Sequence, residues 1–97
     1  MSKGKRPLEG VKCVCAIHVH QAPLAFSMMA DLGAEVIKIE CPEVGDIGRG
    51  AYTVEAPDGS KISPGSDAVN QGLKSISLNI RSEAGLKIVK ELVKDAD

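Results

Sequence analysis

At 97 residues, with a formal net charge of −1, 2% aromatics and charges of both signs interspersed, the chain offers one small domain and no basic, ring-bearing surface for nucleic acid. No apolar run approaches the ~18 residues that span a bilayer, and the basic start Met1 to Pro7 leads into no apolar signal core. These two readings predict a cytoplasmic chain with no membrane partner, and its three cysteines, which lack CxxC spacing, are expected to stay reduced.

Val11 to Ile17 is apolar enough for a strand covered on both faces, as in a parallel sheet. Its carboxyl end delivers His18-Val19-His20-Gln21-Ala22, and open α/β sheets bind ligands beyond the carboxyl ends of their strands. Pro23 suits N1 of a helix, where a missing N–H costs nothing, and Leu24 to Leu32 continue it with good helix formers. Nearly all faces of that helix are apolar, so burial all round is expected, with Met28 and Met29 as core packing. Gly33 ends the helix as a left-handed C′ residue. Val36, Ile37 and Ile39 then form a short β-branched strand, interrupted by Lys38 and closed by Glu40 ahead of Cys41-Pro42.

Residues 41–72 carry six glycines and three prolines, with turns at Pro57-Asp58-Gly59 and Ser63-Pro64-Gly65, and read as one long loop. Within it, Gly45-Asp46-Ile47-Gly48-Arg49-Gly50 follows a strand but opens no helix. A turn with a local Asp46–Arg49 pair is therefore favoured over a phosphate cradle. Ser75 to Ile80 alternates strictly and sets Ile76, Leu78 and Ile80 on one strand face. Ser82 offers an N-cap to a final helix whose stripe of Leu86, Ile88, Val89, Leu92 and Val93 opposes the solvated Lys87, Lys90 and Lys94.

The order strand, helix, strand, long loop, strand, helix predicts a partial Rossmann-like α/β fold, a parallel sheet with right-handed crossovers. The pattern calls for another strand after Asp97, so the sequence reads as unfinished. His18 and His20 could face a metal together, yet metal sites ask for three or four ligands and no partners are evident, so no metal is expected.

Pro7-Leu8-Glu9-Gly10-Val11-Lys12, the run Ala30 to Glu40, Gly45-Asp46 with Arg49-Gly50, and Ser75 to Gly85 fall in the order PLxGxxV, LGAEVIKIE, GDxxRG and SIxLDLKxxEG. In that order and at these spacings they resemble the N-terminus of the family III CoA-transferases, over almost the whole chain. The resemblance implies that residues 1–97 are the N-terminal part of the family's large domain, incomplete relative to it, with residues 41–72 a loop within it. It further implies transfer of coenzyme A from an acyl-CoA to a carboxylic acid through aspartyl intermediates. The family's nucleophilic aspartate lies downstream of this chain, so no catalytic residue is nominated.

Carried over position by position, the family's CoA contacts become Val19, His20 and Gln21, then Cys41, then Leu78, Asn79, Ile80 and Arg81. Gln21-Ala22-Pro23 stands where relatives often have Ala-Gly-Pro, and Cys41 where some carry arginine. The expected partners beyond CoA and the acid are a second copy in a homodimer or the remainder of a transferase polypeptide. A stand-alone α/β binding module without catalysis is the alternative reading.

Overall fold

A computed structural model describes residues 5–51 and 53–97, so the first four residues of the basic start lie outside the described part. Strand β1 (Lys12–Cys15), helix α1 (Gln21–Asp31) and strand β2 (Glu35–Glu40) form the first crossover unit. Next come a 3₁₀ turn (Ile47–Arg49), a two-stranded antiparallel hairpin of β3 (Val54–Glu55) and β4 (Lys61–Ile62), and helix α2 (Pro64–Val69). Strand β5 (Lys74–Ser77) and helix α3 (Glu83–Lys94) close the chain. The main sheet has the order β1-β2-β5, parallel throughout, with Cys13 beside Val36 and Ile39 beside Ile76. This is the expected α/β parallel sheet.

Helix α1 ends as the sequence dictates. Gly33 has φ +111°, and a Cβ there would lie 2.8 Å from the Arg6 Cβ and 3.1 Å from the Glu9 backbone nitrogen. Glycine is thus required for both conformation and space. At its other end α1 starts at Gln21, two residues before Pro23, which sits within the first turn where an N–H has no intrahelical partner anyway. The core packs between α1 and one sheet face, around Cys15, Ala34 and Val36 with Phe26, Met29 and Leu73 against them. Burial pushes the Cys15 thiol up to about 11, against an opposing pull from Lys38.

Several expectations are corrected here. Helix α1 is not buried all round: Leu24 and Leu32 are half exposed and Met28 is 59% exposed, so of the methionine pair only Met29 packs on the core. One sheet face is enough to bury one stripe of a helix, and the other stripe stays open. The stretch 41–72 is structured by short elements rather than running as a plain loop, because its polar side chains bond back to the sheet. The third strand stops at Ser77, with Leu78 N–H still reaching the Glu40 carbonyl at 3.0 Å and Ile80 half exposed beyond it. Val36, Lys38 and Glu40 alternate toward the α1 and α2 side, whereas Val14 and Ile37 line the opposite face, where α3 lies across a groove of about 730 Å³.

Candidate functional site

The carboxyl ends of all three parallel strands surround a second cleft of about 710 Å³. Ala16 follows β1, Ile39 to Glu43 end β2, and Leu78 to Arg81 follow β5, so chain topology alone places these segments together. The volume falls inside the roughly 300–1,000 Å³ typical of ligand sites. Of the residues nominated from the sequence, Cys41, Leu78, Asn79, Ile80 and Arg81 line this cleft. Val19, His20 and Gln21 stand beside it at the entry to α1, and His18 takes the lining position on that side.

The wall formed by residues 78–82 is held by its own local hydrogen bonds. Asn79 Oδ1 accepts the Arg81 N–H at 3.0 Å, while the Asn79 carbonyl accepts the Ser82 N–H at 3.1 Å and the Ser82 hydroxyl at 2.7 Å. Ser82 then caps α3 as expected, its hydroxyl accepting the Gly85 N–H at 3.0 Å. Gly85 approaches this turn so closely that a Cβ would lie 2.0 Å from the Asn79 carbonyl oxygen.

Beneath the cleft lies a network of paired charges. Lys38, 2% exposed, bonds the Asp46 carboxylate, donates to Asn70 Oδ1 at 2.7 Å and lies 3.9 Å from Glu40. Asp46, 1% exposed, accepts from the backbone N–H of Val19 at 2.9 Å and of Gly48 at 2.8 Å. Glu40 accepts both arms of the Arg49 guanidinium at 3.0 Å each, and the Ser75 hydroxyl at 2.6 Å. The expected Asp46–Arg49 pair is therefore replaced by two pairs, Asp46 with Lys38 and Arg49 with Glu40. The reason is the pleat: Lys38 and Glu40 project from the same face of β2 toward the loop, and each takes the opposite charge nearest to it.

Burial alone would raise the Asp46 carboxyl. The Lys38 ammonium and the two backbone N–H groups outweigh it and hold the carboxyl at about 2. Burial acts in the same sense on Glu40, and Arg49, Ser75 and Lys38 together keep it below the usual carboxylate range. His18 Nδ1 lies 3.7 Å from Asp46 Oδ1 at the cleft edge. Among the described residues no three histidine, cysteine or carboxylate side chains are grouped as a metal site would need.

Sequence reasoning missed Lys38, Glu40 and Asn70, and considered His18 only as part of the first loop and of a metal pair. A signal was present: opposite charges two apart on one strand face, Lys38 and Glu40, precede Asp46 and Arg49 in complementary order. Asn70 carries no such pattern, because it reaches Lys38 only through the tertiary position of α2.

Three parallel strands whose carboxyl ends line one cleft, with the buried Lys38–Asp46 pair and the Glu40–Arg49 pair beneath it, define an α/β unit of the open parallel-sheet class. The family profile described as CoA-transferase family III matches residues 8–97, and the chain belongs to that family. The succinate–glutarate CoA-transferase of Agrobacterium fabrum is 39% identical over 100 residues, covering 100% of this chain and 25% of its own length. The human succinyl-CoA:glutarate CoA-transferase is 42% identical over 92 residues, covering 95% of this chain and 20% of its own. Among solved structures, a CAIB/BAIF family protein from Brucella suis superposes with a TM-score of 0.82 at 35% identity, over 97% of this chain and 25% of that one. The chain thus spans a quarter or less of the curated relatives it matches.

Proposed function

We propose that the chain is the N-terminal, CoA-binding part of a transferase that moves coenzyme A between an acyl-CoA and a carboxylic acid. The observation that carries this reading is the convergence of Cys41 with Leu78, Asn79, Ile80 and Arg81 in one cleft at the carboxyl ends of the sheet. Chemically the cleft suits the task. Arg81 sets an exposed guanidinium at its rim for a phosphate, and Ile39, Leu78 and Ile80 supply apolar wall for the rest of the ligand. The turn at Asn79 fixes that wall through three hydrogen bonds.

The carboxylate that would form the acyl anhydride and the CoA thioester is supplied from outside these residues, so the 97-residue chain binds without turning over. Its working partner is the remainder of a transferase polypeptide or a second copy. A cytoplasmic location accords with three free thiols and with the lack, among the described residues, of a helix long and apolar enough to cross a membrane.

Isothermal titration of the chain with CoA tests the reading. Binding at micromolar levels is expected, with Arg81→Ala weakening it about tenfold, the worth of one charge-assisted hydrogen bond. Absence of heat at millimolar CoA from a folded chain would contradict it.

A further inference from the structure

Val19 has φ +69°, the left-handed region, and among the described residues it is the one non-glycine found there. For a β-branched side chain that conformation is an outlier that persists only where surroundings impose it. The surroundings are visible. The Val19 N–H donates to Asp46 Oδ1 at 2.9 Å, the same oxygen accepts the Gly48 N–H at 2.8 Å, and the other carboxylate oxygen is bonded by Lys38. Gly48 is pressed so close that a Cβ on it would lie 3.2 Å from the Val19 Cα and 3.2 Å from Asp46 Oδ1. Both Lys38 and Asp46 are sealed from solvent, and Asn70 takes a second proton of the ammonium, so the carboxylate has little freedom to turn.

We infer that Lys38 and Asp46 are positioning residues for the ligand site: they clamp the Val19 peptide in its left-handed turn and so aim the Val19-His20-Gln21 backbone at the cleft. Neither side chain need touch the ligand. A backbone allowed to return to negative φ at Val19 would swing the following peptide away and change the entry of α1. This inference rests on the CoA-binding reading for its ligand, while the clamp itself can be judged without one.

The test uses Lys38→Met with Asp46→Ala, which removes both charges together and so avoids stranding one in the interior. Val19→Gly is then added to the pair, because glycine reaches positive φ without strain. In the unsubstituted chain, with no ligand, the Val19 amide is expected to be strongly protected from hydrogen exchange and its carbon shifts to be those of a left-handed residue. The double variant should lose that protection and bind CoA about tenfold more weakly, and the triple variant should recover affinity to within about threefold, a gain that general loss of stability would not give. A freely exchanging Val19 amide in the unsubstituted chain overturns the clamp, and this holds even if the double variant fails to fold. Wild-type affinity in the double variant, or no recovery in the triple, overturns the positioning role. A protected Val19 amide in a chain that does not bind CoA upholds the clamp and contradicts the functional reading instead.

Discussion

Lys38→Met alone would leave the Asp46 carboxylate buried with its backbone donors but no cation, a loss of about 3–5 kcal/mol, a large part of the ~5–15 kcal/mol holding a domain together. A drop of that size in urea unfolding free energy is expected, larger than for the paired Lys38→Met, Asp46→Ala change. The same pair sets the acid limit of the fold. Asp46 titrates from its ordinary 3.8 down to about 2 in the folded chain, so its contribution of about 2 kcal/mol is complete above pH 3.8 and lost as pH falls through 2, with Glu40 adding in the same direction. Urea midpoints measured from pH 6 to pH 2 should fall through that window, and a pH-independent midpoint would contradict the pairing. Cysteine chemistry gives a third check. Exposed Cys41 should alkylate rapidly and be shielded by CoA, while buried Cys15, its thiol near 11, should label only on unfolding. Lys38 shows why such residues resist reading in sequence: inside a β-branched run it looks like an interruption, and its burial makes sense only once Asp46 and Asn70 are brought over it.

Elements whose signals are local were legible. The alternation of Ser75 to Ile80, of which the strand takes only the part up to Ser77, the Ser82 cap, the Gly33 stop and the Val36-Ile37-Ile39 run each encode their own geometry, and the parallel order follows from them. Helix α2 and the β3–β4 hairpin were not, because six and four residues are too few for periodicity, and their stability comes from partners elsewhere, such as the Ser63 hydroxyl on the Ala51 carbonyl at 3.1 Å. The site divides in the same way. The segments after β2 and β5, nominated from the motif order, line one cleft, whereas the ion-pair floor depends on strand pleat and loop return. Gly85 gives the sharpest element-level prediction, since two effects of opposite sign compete. Alanine within a helix gains about 1 kcal/mol over glycine, but at buried Gly85 its Cβ would collide with the Asn79 carbonyl at 2.0 Å. Gly85→Ala should therefore lower the melting temperature and loosen the cleft wall, and a raised melting temperature would show that the contact yields.

With a Cα radius of gyration of 15.2 Å, above the ~13 Å of a compact domain this size, and extents of 45 × 42 × 22 Å, the molecule is a plate rather than a ball. Leu86, Ile88 and Val93 of α3 are each more than two-fifths exposed, and the β5 edge has no neighbour on one side among the described residues. At β1, by contrast, Asp97 donates its N–H to the Lys12 carbonyl at 2.9 Å and accepts the Lys12 N–H on its carboxylate at 3.0 Å. A few hundred Å² of such apolar surface is worth several kcal/mol at about 25 cal/mol per Å², so it is expected to be covered. Sedimentation at ~100 μM should reveal species larger than a monomer, shifted toward smaller ones or unfolded by Leu78→Lys, and a compact monomer would refute this. The most direct measurement is an NMR titration of the ¹⁵N-labelled chain with CoA, because two clefts of similar volume lie on different parts of the plate. Amide shifts are predicted at Cys41, Leu78, Asn79, Ile80 and Arg81 and beside them at Val19 to Gln21. Shifts confined to Ile37, Ile88 and Leu92 in the groove under α3, or none at saturating CoA, would contradict the assignment of the site.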